Sequence, residues 1–265
     1  MLILLVLVFG LIVGSFLNVI ILRLHQKKDF KKGRSKCPDC KKVLSPYELI
    51  PVVSWVVQGG RCRGCRAKLS IQYPLVELAT ALIFILAYLY FLPVTLGGWA
   101  IYLLWLYVLS TLIVLAVYDL KWYLLPDRVM LPLIIPALIL LGINFAHFGT
   151  IDSLYKPIAA GLLFGGLFYG IAAVSGGKWM GGGDIKLAFI MGLLLGLQKT
   201  ALAMILAFNT AAVVGLVLIA LKLKKRTDYI PFGPFLIAGT IVALLAGTQI
   251  IDWYLRTSGF YLLAT

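Results

Sequence analysis

Long apolar runs separated by short polar segments set the strongest limit on the fold of this chain. A helix needs about 20 apolar residues to cross the hydrocarbon core of a bilayer. Hydropathy marks eight candidate spans, which are 2–22, 73–92, 99–118, 129–148, 157–175, 185–197, 199–221 and 234–251. The sixth is short and is expected to tilt, to begin in the preceding loop or to span incompletely. We therefore expect an all-α polytopic membrane protein with about eight transmembrane helices.

The composition supports a membrane class. Hydrophobic residues make up 62% of the chain and charged residues 13%, with a mean hydropathy of +1.02. Soluble domains have about 45–50% apolar and about 25% charged residues. The first run contains no Lys or Arg before Arg23 and no Ala-x-Ala-type cleavage site. We interpret it as a signal anchor that is retained, and not as a cleaved signal peptide.

The positive charge is concentrated on one side of the predicted membrane topology. The loops on that side contain 21 of the 24 Lys and Arg residues, and they are 23–72, 119–128, 176–186 and 222–230. The other side has three: Lys156, Lys199 and Arg256. Since Lys and Arg are enriched in cytoplasmic loops, the first group is expected in the cytoplasm, with both termini outward. Topology thus explains the net charge of +14, and nucleic-acid binding is not indicated.

All four cysteines lie in the one segment that looks soluble, residues 23–72. They form CPDC (Cys37, Cys40) and CRGC (Cys62, Cys65), with 21 residues between the pairs. Two such pairs are typical of a closed, four-thiolate structural zinc site. Disulfides are unfavourable in a reducing cytoplasm, and a segment this short gains folding energy from a metal. We predict a zinc domain at 23–72, after a first helix at 1–22 and before a membrane domain at 73–265. The alternatives are a redox role and a site that has lost its metal.

Ten acidic residues are present, and most are expected on the solvated surface. Those in loops or at helix ends are Asp29, Asp39, Glu48, Asp152, Asp228 and Asp252. Four others lie close to predicted membrane helices: Glu77, Asp119, Asp127 and Asp184. Ionisable groups near membrane depth are costly, and they mark candidate functional sites.

Asp119 and Asp184 are the strongest catalytic candidates. Asp119 ends the third predicted helix, Asp184 begins the sixth, and both fall on the cytoplasmic face. Two neighbouring carboxylates cannot both ionise easily. In aspartic proteases one of such a pair takes a proton from water while the other polarises the peptide carbonyl. The alternative is that both are helix-end residues, with Asp184 favoured by the helix dipole.

Several neighbours are candidates for supporting roles. Five of the eight residues before Asp184 are glycine, including Gly181 and Gly183, and such a chain can adopt positive φ and admit a substrate backbone. Lys186 is expected either to orient Asp184 or to extend its ammonium group to the membrane surface. Asp127 follows a proline and is typical of an N-cap.

Two further function classes remain open on the residues alone. A transporter would use membrane carboxylates as a relay, and short helices interrupted by glycine are typical of it. It would, however, need carboxylates near the midplane linking both faces. A zinc-dependent membrane adaptor without catalysis would leave Asp119 and Asp184 unexplained. His25 and His147 fall on opposite faces, so a histidine-based metal site or triad is not expected.

Motifs along nearly the whole chain resemble the type 4 prepilin peptidase family. They are GLIVGSFLNVIILRL (10–24), the cysteine segment through the second helix (35–84), DLKWYLLPD (119–127), GGGDIK (181–186) and IPFGPFLIAG (230–239). One departure is Leu49, where many members have Asn. The resemblance implies an enzyme that cleaves the basic leader of type IV prepilins and pilin-like proteins after a glycine, without a metal.

The resemblance also implies partners, cofactors and site residues. It makes Asp119 and Asp184 the catalytic pair and S-adenosylmethionine the donor for N-methylation of the new first residue. Zinc is expected to be structural. We expect the substrate or methyl-donor region to include Glu48, Pro51 and Glu77. The protein is expected in the bacterial inner membrane, with the cysteine domain and active site in the cytoplasm. The particular pilin, the pathway (pilus, secretion or competence) and the oligomeric state remain open.

Overall fold

A computed structural model describes residues 1–28, 33–225 and 228–258. The chain divides into two compact units, Met1–Val114 and Leu115–Thr265. Four residues used in the charge count and the surface-acid expectation lie outside the described residues: Asp29, Lys31, Lys32 and Arg226.

The regular elements of the described residues are helices, and the cysteine segment adds turns and two isolated β-bridges. The longer ones are α1 (Leu2–His25), α3 (Gln72–Phe91), α4 (Leu96–Trp122), α6 (Ile134–Phe148), α7 (Asp152–Val174), α8 (Gly182–Ala220) and α9 (Gly233–Thr257). Short helices are η1 (Pro46–Leu49), α2 (Val53–Val57), α5 (Asp127–Met130) and η2 (Leu131–Leu133). Within the described ranges, seven helical segments are long and apolar enough to cross a membrane, with Asp127–Phe148 counted as one.

In the first unit, α1 and α3 pack closely through small residues. A Cβ atom on Gly10 would lie 2.6 Å from Ala81 Cα, and one on Gly14 would lie 2.7 Å from Glu77 Cα. A larger residue at either glycine would push the helices apart. Leucine, isoleucine and phenylalanine side chains remain exposed along the rest of α1. Such an exposed apolar surface is expected where lipid replaces water.

In the second unit, α8 reverses direction at Gly196. This glycine has φ of 72°, unlike the helical residues around it, and glycine adopts positive φ without steric cost. Thr200 Oγ1 donates a hydrogen bond to Met191 O at 3.3 Å. Nine residues of straight helix would separate these positions by about 13 Å. The chain therefore folds back on itself, and Gly182–Ala220 is a helical hairpin.

The hairpin reconciles the expected eight spans with seven assigned ones. The predicted spans 185–197 and 199–221 are the two arms of α8, joined by one glycine and not by a loop. The first arm begins at Gly182, inside the glycine-rich stretch, which is one of the outcomes expected for the short sixth run. It extends about 20 Å, against about 30 Å for the hydrocarbon core.

The second unit has two distinct ends. At one end, Gly233 at the start of α9 contacts Asp119. At the other, Gly247 of the same helix lies beside the Lys199 side chain. Fourteen helical residues separate the two glycines by about 21 Å. Lys199 thus lies far from the end that carries Asp119, as the charge count predicted.

Candidate active site and metal centre

Asp119 lies in the last turn of α4. The helix ends because Tyr123 adopts the left-handed conformation, with φ of 54°, and its N–H closes onto Asp119 O at 2.8 Å. This resembles the usual left-handed helix C-terminus. The Asp119 side chain is buried at 5% exposure.

Asp184 lies in the first turn of α8, with Gly181 as N-cap. Its N–H donates to Gly181 O at 3.1 Å, and the residue is also only 5% exposed. A carboxylate there is favoured by the helix dipole. Its Oδ1 atom is buried and has no hydrogen-bond partner among the described residues. A buried polar atom of this kind needs an explanation, and it has capacity for a hydrogen bond from water or, when protonated, to a substrate carbonyl.

The third component of the site is the N-terminus of α9. The first N–H groups of a helix have no partner within the helix, and Gly233 N–H donates to Asp119 Oδ2 at 3.1 Å. A Cβ atom on Gly233 would lie 2.6 Å from that oxygen. Only glycine allows this approach. Sequence reasoning missed this residue, although the IPFGPF stretch before the last helix was the available signal.

Leu125 ties the two aspartates into one site. It is buried, and its Cβ lies 2.8 Å from where a Cβ on Gly183 would be, with its Cδ2 3.3 Å from the equivalent point on Gly233. Asp184 follows Gly183 directly, and Asp119 accepts the hydrogen bond from Gly233. The structure thus brings together two residues 65 positions apart in the chain.

Tyr229 lies near both carboxylates, and sequence reasoning missed it as well. Burial, and then the negative charges of Asp184 and Asp119, raise the pKa of its hydroxyl. Its ring contacts Tyr123 edge-on, at 5.6 Å between centroids. No sequence motif distinguishes this tyrosine from the others, because its proximity depends on where the loop before α9 folds.

The glycines before Asp184 adopt positive φ as expected, but not at Gly181 or Gly183. Positive φ occurs at Gly176 and Gly177, earlier in the stretch. Gly181 is extended and Gly183 is helical. Gly183 is needed because Leu125 fills the place of its side chain, whereas Gly182 has open space beside it.

Lys186 and Asp127 pair with each other. The Lys186 ammonium group contacts Asp127 Oδ1 at 2.8 Å and Oδ2 at 2.7 Å, and both side chains are about half exposed. The expected contact of Lys186 with Asp184 is therefore not the one observed. The N-cap prediction for Asp127 was wrong, since Pro126 is the N-cap and Asp127 the first residue of α5.

The four cysteines form a single cluster in the first unit. Their sulfur atoms all lie within 4.8 Å of one another, with 3.9 Å between Cys37 and Cys65 and 4.0 Å between Cys40 and Cys62. Zinc with four thiolates at about 2.3 Å has sulfur–sulfur distances of about 3.8 Å. The donor set and spacing therefore fit a tetrahedral metal site.

The two cysteine pairs have the same local backbone. Cys37 N–H donates to Lys42 O, and Cys62 N–H donates to Ala67 O. Lys41 and Arg66, each four residues after the first cysteine of its pair, both have φ of 60°. Each turn thus presents its two sulfurs in the same way, as the Cys-x-x-Cys spacing predicted.

Glu48 was expected on the solvated surface, and this was wrong. It is buried, and its Oε2 accepts hydrogen bonds from Ser45 N at 2.9 Å and Ser45 Oγ at 3.0 Å. Lys42 contacts Oε1 at 3.3 Å. The Ser45 N–H, together with Lys42, holds the pKa of Glu48 below its usual range. Glu48 caps η1 through a capping box.

Glu77 and Pro51 both take part in hydrogen bonds of a strained turn at Val52. Glu77 is buried, and its Oε2 accepts the Val52 N–H at 2.7 Å. Val52 has φ of 60° and ψ of −55°, and Val53 N–H donates to Pro51 O. This is a γ-turn, which is rare and strained for a β-branched residue.

Comparison with known proteins places these features in a family. The bacterial peptidase A24 N-terminal domain model matches residues 8–91, and the type IV leader peptidase family model matches residues 106–216. Three relatives share the name prepilin leader peptidase/N-methyltransferase. The relative from Aeromonas salmonicida is 35% identical over 96% of this chain and 94% of its own. The relative from Bacillus subtilis is 33% identical over 94% of this chain and 96% of its own. The relative from Pseudomonas aeruginosa is 33% identical over 95% of this chain and 92% of its own. No solved structure gave a significant match.

The protein is thus a polytopic helical membrane protein with an aspartate pair and a four-cysteine cluster. It belongs to the type IV leader peptidase family, as the sequence motifs indicated.

Proposed function

We propose that this protein cleaves the leader from type IV prepilins or pilin-like precursors and N-methylates the new N-terminal residue. One observation carries the peptidase assignment: two buried aspartates of separate helices share a site, in a member of the leader peptidase family. The methyltransferase assignment rests on the names of the relatives. A relay transporter is not favoured, because Asp119 and Asp184 lie at one end of the second unit.

In the proposed cleavage, the two carboxylates act on water and on the scissile peptide without a metal ion. The ionised one takes a proton from water as the water oxygen attacks the carbonyl carbon of the glycine, while the protonated one donates a hydrogen bond to the carbonyl oxygen. The C–N bond then breaks, and the leaving nitrogen takes up a proton. The unpartnered Oδ1 of Asp184 has the free capacity that this role requires. The Gly233 N–H holds Asp119 in place, and Tyr229, Gly181 and Gly183 support the pair from nearby.

We assign residues 73–265 to a membrane peptidase domain and 23–72 to a cytoplasmic zinc domain after the first helix. In the bacterial inner membrane, the loops rich in Lys and Arg would face the cytoplasm. The aspartates are at the end of the second unit that carries residues 119–128 and Tyr229. A prepilin with its apolar helix in the bilayer would present its scissile bond there. Lipid and the precursor are the partners proposed.

Zinc is proposed to bind Cys37, Cys40, Cys62 and Cys65 and to stabilise the fold around them, since a closed four-thiolate site is structural. S-adenosylmethionine would supply the methyl group. In that second step the neutral amine freed by cleavage attacks the sulfonium methyl carbon. The C–S bond breaks with its electrons left on sulfur, and the nitrogen then loses a proton.

Incubation of the purified full-length protein with a panel of prepilins and S-adenosylmethionine tests both steps. Intact-mass spectrometry should show loss of the leader after glycine and the addition of one methyl group. Cleavage without methylation would contradict the methyltransferase assignment only. An uncut panel would contradict the peptidase assignment.

A further inference from the structure

The first unit contains a cavity of about 670 Å³ next to the cysteine cluster. Ligand sites for small molecules have volumes of about 300–1,000 Å³. Its walls come from α1, the two cysteine turns, α2 and the first turns of α3. Cys37 and Cys62, the two buried cysteines, form part of the wall. The metal cluster and the cavity therefore share a boundary.

Two carboxylates line this cavity, and they differ in how their charge is balanced. Glu48 has Lys42 beside it and caps a helix. The donors given for Glu77 among the described residues are neutral: the Val52 N–H and the Ser15 hydroxyl. Among ion pairs between described residues, none includes Glu77. A buried carboxylate without a cation is costly, and a positively charged ligand in the cavity would offset that cost.

The other walls suit a nucleoside and an amino-acid carboxylate. Trp55 and Tyr73 supply aromatic rings, on which a base can stack. Trp55 is held by its own hydrogen bond, from Nε1 to Leu69 O at 3.4 Å. Arg34 and Lys36, together with Arg23 and Lys28, line the same cavity and supply positive charge. The cavity thus combines aromatic, cationic and anionic surfaces within one volume.

We propose that this cavity binds S-adenosylmethionine, with the Glu77 carboxylate facing the positive sulfonium. This rests on the methyltransferase activity proposed above. Adenine would lie against Trp55 or Tyr73, and the methionine carboxylate near Arg34 and Lys36. The match is chemical: the ligand carries one aromatic base, one carboxylate and a fixed positive sulfur, and each has a counterpart in the wall.

The strained turn gives Glu77 a second effect on the cavity. Its Oε2 holds Val52 at φ of 60°, and α2, which carries Trp55, begins at the next residue. Strained backbone persists where surrounding contacts enforce it, and it concentrates at functional sites. Glu77→Gln keeps an oxygen that can accept the Val52 N–H. The substitution therefore removes the negative charge and keeps the hydrogen-bond acceptor of the turn.

Calorimetry on the zinc-loaded, full-length protein tests the charge role with two ligands. S-adenosylmethionine carries the sulfonium, whereas S-adenosylhomocysteine has a neutral thioether in its place. Glu77→Gln should weaken the first ligand by at least about tenfold, as expected for loss of one partner of a buried charge pair. It should weaken the second by less than about twofold, since that ligand lacks the charge. Equal weakening of both would overturn the charge role.

Blocking the cavity tests the location independently. Ser54→Trp places a large side chain on the cavity wall and should weaken both ligands by at least about tenfold through lost volume. The matched control is Val57→Trp, on the same helix but exposed and outside the wall, which should bind both ligands as wild type does. If wild type methylates prepilin while Ser54→Trp binds normally, the site lies elsewhere and the methyltransferase function stands. If wild type neither binds the donor nor methylates prepilin, both proposals fail.

Discussion

The cysteine cluster of the first unit and the aspartate pair of the second differ in how they are assembled. Each cysteine turn is complete within about six residues, and the two turns have the same backbone. The aspartate site instead joins the end of α4, the start of α8 and the start of α9. A site built from local turns can be predicted from the spacing of residues in the sequence. A site built from three distant helix ends depends on how the helices pack.

The two regions also differ in how far their polar groups are satisfied. Glu48 makes hydrogen bonds through both oxygens, whereas Asp184 Oδ1 has no partner among the described atoms. Satisfied carboxylates hold the structure together, and an unsatisfied one at 5% exposure retains the capacity to bind a reactant. The predictions below test this contrast.

Loss of either aspartate should have the largest effect. Asp119→Asn or Asp184→Asn should lower prepilin cleavage by at least about a thousandfold, because proton transfer by the pair is lost. A quantitative cleavage assay measures this, with circular dichroism to verify helix content. A normal cleavage rate in either variant would show that the pair is not catalytic.

Loss of one thiolate should weaken zinc binding. Cys37→Ser should lower zinc affinity by at least about a hundredfold and expose the cysteine segment to proteolysis, since a structural metal contributes folding energy. The control is Asp39→Asn, exposed in the same turn, which should keep its zinc. Elemental analysis and limited proteolysis provide the measurements. Wild-type zinc content in Cys37→Ser would contradict the four-thiolate site.

Substitution of Gly233 tests whether the packing of α9 positions Asp119. Gly233→Ala adds a Cβ that would lie 2.6 Å from Asp119 Oδ2, so the carboxylate must move. Cleavage should fall by about 10- to 100-fold, as misplacement by an ångström does elsewhere. Gly247→Ala is the matched control on the same helix, where the nearest atoms to a Cβ belong to the Lys199 and Leu202 side chains, at 3.3–3.7 Å. Equal rates for the two variants would remove Gly233 from the site.

The exposed pair of Lys186 and Asp127 should matter least. Such pairs contribute about 0–1 kcal/mol, so Lys186→Met and Asp127→Asn should each change cleavage by less than about threefold. The same assay applies. A loss as large as that of Asp184→Asn would mean that Lys186 acts on the aspartates directly, as the sequence had left open.

Sequence patterns predicted the helices well because each is apolar over its whole length. The least certain part was the short sixth span. Its boundary could not be placed, because Gly196 reverses the chain within one residue and leaves no polar loop to mark it. The burial of Glu48 was also missed, because this residue lies in a polar segment of the sequence. Its contacts with Ser45 and Lys42 hold it in the structure.

Although the pairing of Asp119 with Asp184 rested mainly on the resemblance of their motifs to a family, the sequence by itself determined the membrane class, the charge bias of the loops and the paired cysteines. These follow from composition and from spacings short enough for local geometry to control. Only the tertiary structure decided that Gly233 N–H holds Asp119, that Leu125 fills the space beside Gly183, and that Lys186 pairs with Asp127. Those contacts join residues far apart in the chain, and they depend on which helix ends meet.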